Sequence, residues 1–220
     1  MAFSGEGKCG PRSTWTASIS TTYYRALKGT PHRWLDLLAL SRQLLRSENQ
    51  INRIRYFTAR VKPNANKPDQ HVHQDAYLQA ISFHIDCLAV HEGHFYRNVV
   101  RMPLAQPIPG LPRTVEVVKT EEKGSDVNLA VHLVNDACEN AFDVALVISN
   151  DSDLAEAIRI AKGKGKAVGV ANPSADPKVQ MNAELRNAAS FTRRIESKHL
   201  RLSQLPQAFP EIRIKKPADW

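Results

Sequence analysis

The sequence predicts an α/β fold: a three-layer α/β/α sandwich around a mostly parallel central sheet. Two observations carry that expectation. Asp143–Ser149 (DVALVIS) and Lys166–Ala171 (KAVGVA) are near-continuous apolar runs, the pattern of strands covered on both faces. Segments of helical periodicity also alternate with strand-like runs along most of the chain, which favours parallel strands joined by helical crossovers. With 220 residues, the chain suits one such domain plus a small extension.

Taken in order, Trp34–Leu45 places Trp34, Leu37, Leu38, Leu44 and Leu45 at helical spacing. Ile51–Val61, with Ile54, Tyr56 and Phe57 among arginines, reads as a strand that enters a loop at Lys62-Pro63. Asp69–Ile85 reads as a second helix, with Ala76, Tyr77, Ala80, Ile81 and Ile85 on one face. Leu88–His91 is a short strand, Met102–Pro112 a proline-rich loop or hairpin, and Val115–Val118 another strand. Asp126–Cys138 is helical and leads to the apolar run at 143–149. Leu154–Lys162 is a helix stopped by Gly163, and the strand at 166–171 follows. Asn182–Ala189 is a helix, Phe191–Ile195 an edge strand, and Leu205–Trp220 a Pro-rich, irregular tail. No domain boundary is visible before about Ser197.

The formal net charge of +8 has two readings: an anionic partner, nucleic acid first among them, or lysines that are simply solvated. A hydrophobic content of 42% argues against wholesale disorder. No apolar run reaches the ~18 residues of a membrane-spanning helix, so no membrane association is expected. Met1–Ser13 lacks the apolar stretch of a secretory signal. Cys9, Cys87 and Cys138 are odd in number and far apart, which fits a reducing, cytoplasmic setting better than a disulfide framework.

Ser149-Asn150-Asp151-Ser152-Asp153 is the sharpest local feature. It directly follows the buried strand 143–149 and precedes a helix. Ligands of open α/β sheets bind at the carboxyl ends of strands, and two carboxylates there offer hard oxygens suited to Mg²⁺ or Mn²⁺. The same aspartates are also what a helix N-terminus favours as caps and as negative charges near the dipole. Asp126, in the first turn after Glu121-Glu122-Lys123-Gly124, carries the same pair of readings. His71, His73, His84, His91 and His94 with Cys87 raise the question of zinc, but their spacing forms no paired ligand set on one element. Gly163-Lys164-Gly165-Lys166 lacks the spacing and hydroxyl of a phosphate-binding loop. Basic residues gather at Arg53, Arg55, Arg60 and Lys62, at Arg159–Lys166 and at Arg193–Arg201. The first group, beside Tyr56 and Phe57 near a strand end, is the foremost candidate for contact with a phosphate backbone.

Lys119–Ala130 (KTEEKGSDVNLA), Phe142–Leu154 (FDVALVISNDSDL) and Lys166–Val170 together resemble the NYN domain family, within the PIN-like nuclease group. Arg53–Arg60 and His91–Phe95 resemble that family's second and third strands, and the likeness spans Trp34–Ile195 in the family's order. The resemblance implies a PIN-like fold over residues 25–196, followed by a helix and irregular tail over 197–220. It implies a metal-dependent ribonuclease, with Asp126, Asp151 and Asp153 as catalytic carboxylates holding Mg²⁺ or Mn²⁺. Ser149, Asn150, Arg53, Arg55 and Arg60 would contact RNA, and Glu122 matches the glutamate of the family's EKG motif. The alternative is a non-catalytic RNA-binding module on the same fold. A homodimer is compatible with either.

The family's first strand ends in Asp-Gly-x-Asn, and its aspartate belongs to the metal cluster. No such motif stands here: Glu6 is the only acidic residue before Tyr24, and Ser13–Thr22 is polar. Residues 1–24 therefore read as an aberrant or disordered segment with the first strand scrambled, which would weaken both folding and activity. The genetic code offers a cause. Trp is TGG and every Thr codon begins AC, so the Trp15–Thr16 junction read one base earlier gives GAC, an Asp codon. The residues after it permit Gly-x-Asn in that frame. The expected outcome of sequencing the gene across the codons for Gly10–Tyr24 is an alternate frame encoding Asp-Gly-x-Asn; its absence would dismiss a frameshift.

Overall fold

In the computed structural model, which describes residues 14–20, 27, 29–45, 50–63, 68–110 and 112–220, strands and helices alternate as expected. In chain order they are β1 (Thr14–Ser20), α1 (Leu37–Leu44), β2 (Gln50–Ala59), α2 (Gln70–His84), β3 (Leu88–Pro103), β4 (Thr114–Lys123) and α3 (Ser125–Cys138). Then come β5 (Val144–Ile148), a 3₁₀ turn at Ser152–Leu154, α4 (Ala155–Gly163), β6 (Ala167–Asn172), α5 (Ala183–Ala188), β7 (Phe191–Arg194) and α6 (Ser197–Leu202). A small hairpin, β8 (Ala208–Phe209) and β9 (Ile214–Lys215), closes the series. The main sheet has seven strands in the order β4-β3-β2-β1-β5-β6-β7. Every neighbouring pair is parallel except β3 with β4.

Alternation along the central strands sorts their side chains to two apolar layers. On one face Ala17, Ile19, Ile54, Tyr56, Leu146 and Ile148 pack against α1 and α2. On the other, Phe57, Ala145, Val147, Val168 and Val170 meet Leu129 and Leu133 of α3 and Ile158 of α4. The sheet is thus covered on both sides, and this is the three-layer arrangement expected from the two apolar runs.

β1 corrects the expectation of a scrambled first strand. Thr14–Ser20 is the middle strand of the sheet, paired in parallel with β2 on one side and β5 on the other. The reason lies in alternation rather than mean polarity. Ala17 and Ile19 enter the apolar layer of α1 and α2, while the small side chains of Thr16, Ser18 and Ser20 turn toward the opposite layer and are buried there. The hydroxyl of Thr16 donates to the Arg53 carbonyl and that of Ser20 to Asp126, so these buried hydroxyls are satisfied. The rest of segment 1–24 lies outside the described residues.

Two further differences concern length and order. The short strand expected at Leu88–His91 continues to Pro103 and pairs with β4 as a long antiparallel ribbon, register Phe95↔Glu122 to Pro103↔Thr114 over its outer part. Both of its faces carry exposed side chains there, including Val99, Met102, Val115 and Val118, so no clean period-2 signal marks it. The segment Leu205–Trp220, expected to be irregular, is anchored by Trp34. The Trp34 indole donates to the Pro206 carbonyl at 2.7 Å, its ring meets Trp220 at 6.2 Å, and Leu205, Phe209 and Trp220 join the apolar layer. No described helix is long and apolar enough to cross a membrane.

Since Ile19 is fully buried in the middle strand, Ile19→Ala is expected to lower unfolding free energy by about 2–5 kcal/mol in denaturant titrations. A loss near zero would show that β1 is not part of the cooperative core.

Candidate active site

The chain leaves β1 toward β2, β3 and β4, then returns to place β5 on the other flank of β1. Strand order reverses at that point, and the crossovers diverge beyond the carboxyl ends of β1 and β5 to leave a crevice. An open cavity of about 540 Å³ occupies it, and its walls include Ser20, Glu121, Glu122, Asp126, Asp151 and Asp153.

Each carboxylate arrives by a distinct local device. β4 ends at Lys123, and Gly124 turns the chain into α3 with φ of 98°, a left-handed conformation that glycine adopts without steric penalty. The turn fits closely against β3: a Cβ on Gly93 would stand 2.6 Å from the Lys123 carbonyl oxygen. Asp126 follows in the first turn of α3, where its negative charge suits the helix dipole. Its Oδ1 accepts a hydrogen bond from the Ser20 hydroxyl at 2.9 Å, joining the N-terminus of α3 to the end of β1. Glu122 accepts from the buried Ser125 hydroxyl.

On the β5 side, Ser149 is fully buried and its Oγ accepts from the Asp151 amide at 3.2 Å. Asp151 then caps the 3₁₀ turn, its Oδ1 accepting from the Asp153 amide at 3.0 Å. The capping role and the cavity-facing position therefore coexist in one residue. Asn150 is engaged by the segment before α5: its Oδ1 accepts from the Asn182 amide at 2.7 Å and its Nδ2 donates to the Gln180 carbonyl at 3.2 Å. It braces the approach to α5.

The structure thus brings Asp126, Asp151 and Asp153 to one cavity although 25 residues or more separate the first from the others in sequence. The donor chemistry, carboxylate oxygens with neighbouring hydroxyls, suits a hard divalent cation. Among the described residues, no three carboxylate, imidazole or thiolate side chains stand at ion-holding separation. At the end of β1 the wall of the cavity is the Ser20 hydroxyl, on a strand whose first residues include the Trp15–Thr16 junction, where an alternate frame would encode the family's aspartate. Sequence reading missed Ser20. The usable signal was the strand alternation just upstream of it.

Each of the arginines expected to contact RNA is paired with a carboxylate. Ser20 pairs with Phe57, so Arg53 and Arg55 lie four and two residues before the level of the cavity on β2. Arg55 forms a two-point pair with Asp136 of α3, Nε to Oδ2 at 3.0 Å and Nη2 to Oδ1 at 2.8 Å. The side chains are 12% and 4% exposed, which makes this an interior ion pair. Arg53 reaches the same carboxylate at 3.4 Å. Arg60 is near the strand's carboxyl end but is engaged by Glu92 and Asp75. The signal for the Arg55 pair was Asp136 itself, a carboxylate on the face of α3 that also carries the buried Leu129 and Leu133.

Arg55 also meets His91, Nη1 to Nε2 at 3.0 Å. The His91 ring stacks on Phe57 at 4.9 Å and contacts His132 at 4.1 Å. Burial first, then the neighbouring His132 and Arg55, pushes the His91 pKa down to about 4, so the imidazole is neutral near pH 7. The histidines singled out for zinc otherwise disperse: His84 meets Asp36 and His73 meets Asp219.

The description "NYN domain" matches residues 22–196 of this chain, a range that begins just after β1. The sequence is 30% identical over 223 aligned positions to 6-hydroxy-3-succinoylpyridine 3-monooxygenase of Pseudomonas putida strain S16, covering 90% of this chain and 72% of that protein. The fold is similar to the crystal structure of a protein of unknown function from Vibrio parahaemolyticus, with a TM-score of 0.51 at 14% identity. That match covers 90% of this chain and all of the other.

Removing one partner of a buried pair strands the other charge. Arg55→Ala is therefore expected to destabilise the fold by about 3 kcal/mol in chemical unfolding, against roughly 1 kcal/mol or less for the exposed Arg60→Ala. Equal, small losses would mean that the Arg55–Asp136 pair is not buried in solution.

Proposed function

This chain belongs to the NYN domain family, of the PIN-like nuclease group, and from that premise we propose that it is a metal-dependent ribonuclease. The observation that carries the reading is the convergence of Asp126, Asp151 and Asp153, with Glu122 beside them, on the crevice where strand order reverses. Residues 25–196 would carry the chemistry, with 197–220 bracing it.

In this reading Asp126, Asp151 and Asp153 would hold Mg²⁺ or Mn²⁺. When bound, such an ion supplies positive charge against the phosphodiester and activates water for in-line attack. The chain's own residues do the positioning. Ser20 orients Asp126 through its hydroxyl, and Ser149 fixes the backbone that presents Asp151. Asp151 in turn holds the first turn from which Asp153 projects.

The serine at the end of β1 has a consequence. A hydroxyl supplies less charge to the ion than a carboxylate would, so the chain as it stands would bind metal weakly and cleave slowly. This is also what favours the second member of the pair of readings, an RNA-binding module whose chemistry has faded. The named relative favours a different class, oxygenation of a small heteroaromatic acid, and an oxygen-uptake assay with 6-hydroxy-3-succinoylpyridine and a two-electron reductant tests it directly.

The ribonuclease reading is tested by RNA cleavage titrated with Mg²⁺ and Mn²⁺. Cleavage is expected to need the ion and to fall about 100-fold in Asp151→Asn. Ser20→Asp is expected to tighten Mn²⁺ binding, read by calorimetry, by at least about tenfold and to raise cleavage with it. Metal-independent cleavage, or a Ser20→Asp variant that binds Mn²⁺ no better, counts against the assignment.

A further inference from the structure

Resting on the ribonuclease reading, we propose that the cleft beside the carboxylate cavity is a subsite for one nucleotide of single-stranded RNA. Arg97 and Lys62 hold its phosphate there, and Phe95 stacks on its base.

The cleft measures about 270 Å³ and is bounded by Val61, Lys62, Phe95, Arg97, Val118 and Thr120, with Thr120 also forming part of the carboxylate cavity's wall. The two hollows are therefore contiguous. The ribbon explains the alignment. Phe95 stands opposite Glu122, Arg97 opposite Thr120, and Val99 opposite Val118. Directly opposed residues share a face of an antiparallel pair, and same-face pairs recur about every 7 Å along it. One face of the β3–β4 ribbon thus runs from the Glu122 carboxylate outward past the Phe95 ring to the Arg97 guanidinium.

Of the nearby cations, Arg60 pairs at the surface with Asp75 and Glu92, Arg101 with Glu116, and Lys119 with Glu121. Lys123, on the wall of the main cavity, has no carboxylate within ion-pair distance among the described residues. Lys62 and Arg97 have no carboxylate within ion-pair distance among the described residues, and both are exposed. Phe95 is half-buried and makes no ring contact among the described residues, which leaves a face for stacking. A positive groove with an aromatic platform is the arrangement that binds single strands without reading sequence. It also answers a difficulty of the main cavity. Glu122, Asp126, Asp151 and Asp153 outnumber Lys123 on its wall and repel a phosphodiester, and an adjoining positive cleft offsets that repulsion for the neighbouring phosphate.

The test is fluorescence anisotropy of a labelled, unstructured oligoribonucleotide with the full chain in EDTA, over a series of salt concentrations, with cleavage assayed in parallel in Mn²⁺. Lys62→Ala/Arg97→Ala is expected to lower the slope of log affinity against log salt by about 0.7, the value for one phosphate of a single strand no longer neutralised. Phe95→Ala is expected to weaken binding by about 5-fold to 100-fold with little change of slope. Arg101→Ala, already paired on the outer ribbon, is the control and should leave both unchanged. Thermal melts confirm that each variant remains folded. Wild-type binding or cleavage that these variants leave at the control's level overturns the subsite while the ribonuclease reading stands. A wild-type chain that neither binds nor cleaves the oligonucleotide overturns that reading and the subsite with it.

Discussion

α3 is pinned to the sheet at both ends by carboxylates, and the position of the site follows from that constraint. Asp126, in its first turn, takes the hydroxyl of Ser20 on β1; Asp136, near its last turn, takes the guanidinium groups of Arg55 and Arg53 on β2. Ten residues of helix separate the two carboxylates, about 15 Å at the α-helical rise. Between them Leu129 and Leu133 press into the apolar layer over Phe57. A rod clamped at two points and packed along its length has little freedom to slide, so Asp126 is delivered to the crevice by the body of the fold rather than by a loop.

That clamp depends on β1. The strand contributes small side chains, and its stability in the sheet comes from ladder hydrogen bonds to both β2 and β5 and from Ala17 and Ile19 below. Its place at the centre also makes the crevice, because β2 and β5 diverge from it in connectivity. One strand thus organises the sheet, seats α3 through Ser20, and ends on the wall of the carboxylate-lined cavity.

Charge is partitioned around this centre. Negative groups converge on the carboxyl ends of β1 and β5. Arg55 on β2 is drawn into the fold by Asp136, Arg60 just beyond β2 pairs at the surface with Asp75 and Glu92, and Lys62 and Arg97 on the adjoining flank carry positive charge with no carboxylate at ion-pair distance among the described residues. The neutral His91, stacked on Phe57, fits the same logic: burial first, then the neighbouring His132 and Arg55, favours the uncharged ring.

Much of this was readable from residues alone where the local pattern and the final environment agree. VALVI and AVGVA are apolar throughout because both faces are covered, and a doubly covered strand needs no partner to be recognised. Asp151 and Asp153 stood out because they directly follow such a strand, whereas Asp126, opening a helix after Gly124, stood out only through the family resemblance, since its position alone reads as a charge suited to the helix dipole. What only the tertiary structure decided were the pairings. Strand order placed polar Thr14–Ser20 at the centre, where ladder hydrogen bonds and the buried apolar side chains of Ala17 and Ile19 outweigh a composition that reads as loop. Arg55 became an interior ion-pair partner and Asn150 a brace because Asp136 and Asn182, far off in sequence, lie beside them in space. The sequence determined which segments could be strands, helices and carboxylate-bearing turns; the fold decided which of their polar groups face one another, because that depends on contacts between residues that local sequence does not link.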